Sequence, residues 1–273
     1  MKISLAQLTL TDASPEELVD IAAELGCHHV CLFPAVPIQS PMSVPTVTGA
    51  PAARDLRRLI DGRGLSVANV EAVFCSPAVS PQAFEKTMEI GAILGAQRIS
   101  CLNMHPNFSA AVEQLGEFCT LAAGYGLVVA VEWTRRSETR SLPEALRLVQ
   151  AVGVPSLGLV VDVLHLMRNG GVPADLASVP PGTIHYAQMS DGPLQMPGNQ
   201  QAHEARFDRQ FPGEGEFPLM EFVKILPPDI VVAIEAPAQR LASLPPLERA
   251  RRAVDGTRRV LAAAGLGHGT CLG

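Results

Sequence analysis

Three carboxylates and one amide stand where apolar runs end. Glu132 follows Leu127-Val128-Val129-Ala130-Val131, Asp162 follows Leu159-Val160-Val161, and Glu235 follows Val232-Ala233-Ile234. Gln188 lies in a fourth run, 183–190, with Asp191 just beyond it. Taken singly, each acid reads equally well as a helix N-cap or a loop salt-bridge partner. As a set they ask for more, because an unpaired carboxylate at the end of a buried strand costs several kcal/mol. Caps do not require three acids and an amide on four successive runs, and a divalent cation is the simplest compensator. Carboxylate oxygens from Glu132, Asp162 and Glu235 with the amide oxygen of Gln188 make an all-oxygen shell. Such a shell favours a hard ion, Mn2+ or Mg2+, over Zn2+. His185 lies three residues before Gln188, so strand alternation places it on the opposite face and it reads as structural.

The elements that must carry these residues repeat along the chain. Apolar runs at 3–8, 28–33, 67–74, 98–103, 127–132, 157–162, 183–190 and 230–235 read as strands. They alternate with helical patterns at 16–25, 51–63, 81–94, 108–124, 142–152, 163–169, 217–225 and 246–265. Runs such as LVVAVE are apolar on both faces, the mark of a parallel sheet covered by helices. Eight such units without a linker predict one closed (β/α)8 barrel over 1–273, with its chemistry at the C-terminal ends of the strands. The long irregular segments 34–50 and 191–216 read as lids or walls of that mouth. No G-x-G-x-x-G follows the first run, so no nucleotide cofactor is expected.

Composition narrows the function classes. Of 273 residues 47% are apolar and only 18% charged, against roughly 25% charged for an average chain, so most of the chain must be buried. Aromatic residues are only 4%, leaving Ala, Val and Leu to pack thin-walled helices on strands. The net charge is −6 and no basic stripe appears, which argues against a nucleic-acid partner. The six cysteines, Cys27, Cys31, Cys75, Cys101, Cys119 and Cys271, form no Cys-x-x-Cys pair and read as buried free thiols. With no signal-like N-terminus and no run long enough to span a membrane, the expectation is a cytoplasmic protein acting on a small-molecule substrate. Glu71, Asn103 and His105 fall near the expected mouth and could bind substrate hydroxyls. Trp133 should point to the helical layer by alternation, though at a strand end it could wall the pocket, and Arg135 and Arg136 either bind an anionic group or stay solvated. The paired arginines 57/58, 251/252 and 258/259 read as solvated helix faces.

At these residues the chain resembles the xylose-isomerase-like barrel superfamily, in its sugar phosphate isomerase/epimerase branch. The resemblance rests on Val131-Glu132, Asp162-x-x-His165-x-x-Arg168-x-Gly170, Gln188-x-x-Asp191, Arg209-x-x-Pro212-Gly213-Glu214-Gly215 and Ile234-Glu235-x-Pro237. It implies Glu132, Asp162, Gln188 and Glu235 as metal ligands and His165 and Arg209 as contacts to substrate oxygens. Where this chain has Gln188 the ketose epimerases have His; Gln occurs in other members, including dehydratases of cyclic hydroxyketones. A substrate whose carbonyl and adjacent hydroxyl chelate the cation has an acidified C–H, because the metal stabilises the developing enediolate. With Glu132 and Glu235 as acid and base, proton return gives epimerisation or isomerisation, and loss of a β-hydroxyl gives dehydration. Related barrels are often dimers or tetramers. Abasic-DNA endonucleases share the fold, but they need a His-rich zinc cluster and a basic surface; here His28, His29, His203 and His268 lie off the expected mouth. A non-catalytic binding barrel is disfavoured by the complete acid set.

Overall fold

The computed structural model describes residues 1–36 and 43–267; Cys271, His268 and part of the 34–50 segment lie outside them. Eight parallel strands close into a ring in sequence order. They are β1 (Lys2–Ala6), β2 (His29–Leu32), β3 (Ser66–Cys75), β4 (Arg98–Asn103), β5 (Val128–Glu132), β6 (Leu157–Asp162), β7 (Ile184–Met189) and β8 (Val231–Ile234). Around them lie α1 (Pro15–Glu24), α2 (Gly49–Gly62), α3 (Glu85–Ile93), α4 (Phe108–Gly124), α5 (Leu142–Val152), α6 (Val163–Arg168), α7 (Gln201–Phe207), α8 (Leu219–Ile225) and α9 (Pro246–Ala263). The molecule is therefore a (β/α)8 barrel.

Two layers of packing explain the composition. Inside the ring Ala6, Cys31, Ala68, Ala130, Val160, Val231 and Ala233 surround a single large side chain, Tyr186. Small residues suffice there because strands from all sides converge on one aromatic ring. The outward faces of the strands and the inward faces of the helices share a second, much larger aliphatic core, which takes in Trp133. The five described cysteines are free and buried. Helix starts follow local chemistry: Ser14, Asn107 and Ser141 accept hydrogen bonds from Glu17, Ala110 and Glu144 backbone N–H groups.

The structure departs from the sequence reading in three places. The first strand stops at Ala6 and not at Leu8, because Gln7–Leu10 forms a 3-10 turn held by side chains. Gln7 accepts from Phe33 N at 2.9 Å, and Thr9 Oγ1 accepts from Ala236 N and donates to the Ile234 carbonyl at 2.8 Å. Segment 191–216 is not wholly irregular, since it contains α7. Among the described residues there are thus nine helices where eight were expected. Residues 81–94 begin as a 3-10 turn, Pro81–Phe84, before α3.

Candidate active site

Parallel strands with short helical returns leave the last residue of each strand facing the barrel mouth. That end holds a cavity of about 310 Å3, lined by Glu71, Glu132, His165, Gln188, Arg209 and Glu235 among others. Phe33, Phe74, Leu102, Met104 and Leu164 supply its apolar wall.

Asp162 fills both roles that the sequence allowed it. Its Oδ1 accepts from Leu164 N at 2.8 Å, capping α6, while Oδ2 accepts from Arg209 Nη1 at 2.8 Å. One helical turn on, His165 brings Nε2 to 3.6 Å from Glu132 Oε1 and 3.8 Å from Asp162 Oδ2. Ligand atoms of Glu132, Asp162 and His165 all lie within 4.8 Å of one another.

Glu235 and Gln188 belong to an adjoining network. Gln188 Nε2 donates to Glu71 Oε1 and to Glu235 Oε1, both at 2.8 Å. Arg209 Nη1 reaches Glu235 Oε2 at 3.1 Å and the Glu235 carbonyl at 3.0 Å. Four carboxyl groups, Glu71, Glu132, Asp162 and Glu235, thus surround one buried guanidinium.

Electrostatics follow from that imbalance. Burial, and then Asp162, push the Glu132 carboxyl well above the usual range, against the pull of Arg209. Burial and then Glu71 do the same to Glu235. Glu71 is raised by burial despite its hydrogen bonds. Burial holds His165 down at about 4, so its imidazole is neutral near pH 7. For Arg209 burial alone acts downward, but Asp162, Glu235 and Glu132 outweigh it and keep the guanidinium charged.

A divalent cation fits this mouth on its own chemistry. A buried carboxylate, a half-buried one and a neutral imidazole converge, and the Gln188 Oε1 atom is buried without a partner. The expected shell was all oxygen; the compact group instead brings in the His165 nitrogen, and such a mixed nitrogen and oxygen set suits Zn2+ or Mn2+ better than Mg2+.

Two other motifs turn out to build the mouth: Asp191 from outside the cavity and Arg168 from its wall. Asp191 Oδ1 accepts from Gly192 N at 2.9 Å and Phe217 N at 3.0 Å, and Oδ2 accepts from Gly213 N at 2.9 Å. The carboxylate therefore clamps the 209–215 loop that carries Arg209 into the site. Gly256 of α9 lets the Pro212 carbonyl pack where any Cβ would overlap it. Arg168 donates to both Glu204 oxygens, at 2.7 and 2.6 Å, and pins α7 against the rim.

Other expectations resolve plainly. His105 does not line the cavity: its backbone N–H donates to Asn103 Oδ1 and its Nδ1 accepts from Asn107 N. Asn103 ties two loops by donating to Thr139 Oγ1 at 3.1 Å. Trp133 is buried in the helical layer. Arg135 and Arg136 are exposed at the rim, where Arg135 donates to Gln201 of α7. Arg206 of α7 joins them with its Nε atom buried and unpartnered. Sequence reading missed Glu204 and Arg206 because α7 was missed. Arg58, Arg251 and Arg252 are solvated and form surface ion pairs.

A closed parallel barrel with an acidic, cation-fitting mouth defines the class of protein. Residues 19–260 match the family model described as xylose isomerase-like TIM barrel, and the chain belongs to that family. It is 27% identical over 241 residues to a 3-dehydroshikimate dehydratase of Pseudomonas aeruginosa, covering 82% of this chain. The chain spans only 35% of that relative's length. In fold it is similar to the IOLI protein with a binding zinc atom (TM-score 0.79, 16% identity, 97% of this chain and 99% of that one). It is also similar to D-psicose 3-epimerase solved with D-fructose (TM-score 0.75, 12% identity, 97% and 100%). Enzymes of both the epimerase and the dehydratase kind thus stand among its relatives.

Proposed function

We propose that this chain is a divalent-metal-dependent isomerase or epimerase of a small polyhydroxy carbonyl compound, with Glu132 and Glu235 as its acid/base pair. The observation that carries the reading is their placement. The two glutamates line one 310 Å3 cavity from strands three steps apart around the ring, and both carboxyls are raised towards neutrality. A carboxyl raised above its usual range holds a proton more readily and can take one up and return it.

Glu132, Asp162 and His165, with Gln188 Oε1 beside them, are the residues that would hold the ion. When bound, it supplies Lewis acidity towards a carbonyl and an adjacent hydroxyl. Glu235, steadied by Gln188 and Arg209, removes the proton from the carbon beside the carbonyl. Glu132 returns a proton to the opposite face or to the neighbouring carbon. The apolar wall keeps water from quenching the carbanion. At the rim Arg135, Arg136 and Arg206 can receive an anionic group of the substrate.

The test is solvent-deuterium exchange, followed by NMR, over a panel of ketoses and keto acids with Mn2+-, Mg2+- or Zn2+-loaded protein. Exchange at the carbon beside the carbonyl, lost in Glu235→Gln, supports the proposal; no exchange with any member refutes it. A second reading, dehydration of a cyclic hydroxyketone, is favoured by the dehydratase name of the 27%-identical relative and by Gln188. Loss of water from added 3-dehydroshikimate, which is already an enone, aromatises the ring, and the appearance of a dihydroxybenzoate absorbance would select it.

A further inference from the structure

The opposite, N-terminal end of the barrel holds a second cavity, of about 480 Å3, lined by Lys2, His29, Arg98 and His185. Asp229, exposed on its rim, is the one carboxylate among the described lining residues. This end of a β/α barrel normally serves stability, yet two nitrogen atoms here are buried without partners, His29 Nε2 and Arg98 Nε, while the His185 ring beside them is hydrogen-bonded to the Val129 and Gly182 backbone. His29 itself is 5% exposed. Its other nitrogen is engaged with Ser66 Oγ at 2.7 Å, which leaves Nε2 to face the cavity. Burial, followed by Lys2, His28 and Arg98, holds the His29 ring down at about 4, so these cationic groups already act on one another.

The backbone is adapted to present them. Between β6 and β7 the register shifts, pairing Leu159 with Ile184 but Val160 with Tyr186, so His185 is the extra residue of a bulge. Bulges re-aim a side chain, and this one lays the His185 ring over Gly158, where a Cβ would sit 2.5 Å from the ring. A second shift between β2 and β3 leaves Ala68 as the extra residue. Its carbonyl accepts from Arg98 Nη1 at 2.8 Å, while the guanidinium lies 5.5 Å above the Tyr186 ring. Arg98 is thereby fixed at one edge with Nε left over. Cations and neutral imidazole N–H donors without carboxylate partners, aimed into one cavity, are the chemistry of an oxyanion receptor.

We propose that the N-terminal end of the barrel is an anion-binding site, separate from the catalytic mouth, that takes the phosphate or carboxylate group of a small molecule through Arg98, His29, His185 and Lys2. Calorimetric titration with inorganic phosphate at low ionic strength tests it, read beside a crystal soaked in tungstate to locate the ion. The expected result is a site with a Kd near or below about 1 mM, weakened about tenfold or more by Arg98→Met, His29→Gln or Lys2→Ala. It should persist in Arg206→Met, which removes a cation from the other end, and tungsten density should lie between Arg98, His29 and His185. Lys2→Ala alters only an exposed side chain, so the test survives if Arg98→Met fails to fold. Absence of binding, binding untouched by the Lys2 and His29 variants, or binding lost in Arg206→Met alone overturns the proposal. Acetate run in parallel separates a carboxylate from a phosphate preference.

Discussion

Replacing Arg209 with Met should unmask the charge imbalance at the mouth. Arg209 is 2% exposed, and its Nη1 atom lies 2.8 Å from Asp162 and 3.1 Å from Glu235. At an effective dielectric of about 20, each contact is a gross attraction of about 5 to 6 kcal/mol. Desolvation offsets much of this, and losing one partner of a buried ion pair has a net cost of about 3–5 kcal/mol. Methionine keeps most of the volume, so the loss is electrostatic and not a cavity. In a chain of this size about 1 kcal/mol moves the melting temperature by roughly 2–4 °C, which places the metal-free variant roughly 6–20 °C below the parent. Calorimetric scans in a chelator and in saturating Mn2+ then separate the causes. A cation held by Glu132, Asp162 and His165 replaces much of the missing positive charge, so the deficit should shrink by at least about half when the ion binds. A deficit below about 1 kcal/mol in the chelator, or one that Mn2+ leaves unchanged, refutes the reasoning.

Other consequences are equally direct. Glu132→Gln should weaken Mn2+ binding by at least about tenfold, whereas Glu235→Gln should abolish exchange while changing metal affinity much less, because Glu235 is occupied by Gln188 and Arg209; titration calorimetry distinguishes them. Gly215→Ala places a Cβ into the Asp191 carboxylate and 2.6 Å from Gly192 N. It should therefore cost about 1–3 kcal/mol in urea denaturation and lower activity by displacing Arg209. His29, held at about 4 when folded against 6.5 unfolded, takes up its proton more readily in the unfolded chain. Its contribution to stability is thus present above about pH 6.5 and is lost as pH falls towards 4. His29→Gln should flatten that part of the stability profile in urea melts, although the raised carboxyls of Glu71, Glu132 and Glu235 act with the opposite sign, losing stability as pH rises.

Much of the barrel was legible because its causes are local. Two-sided apolar runs, Gly stops and Ser or Asn caps mark strands and helices wherever the chain folds, and strand polarity alone sends Glu132, Asp162, Gln188 and Glu235 to one end. What tertiary structure alone decided lies in contacts between distant residues. Gln188 bridges Glu71 and Glu235, 117 and 47 residues away, and Arg209 meets Asp162 across 47. These pairings exist only once the ring closes, and they leave Glu132, Asp162 and His165 as the compact group. Helix α7 was hidden because its seven residues have no side-chain cap; it is held by the Arg168–Glu204 pair from outside itself. The bulges that turn His185 and the Ala68 carbonyl were equally invisible. A one-residue shift in register is set by how two strands pack, and no pattern along either strand records it.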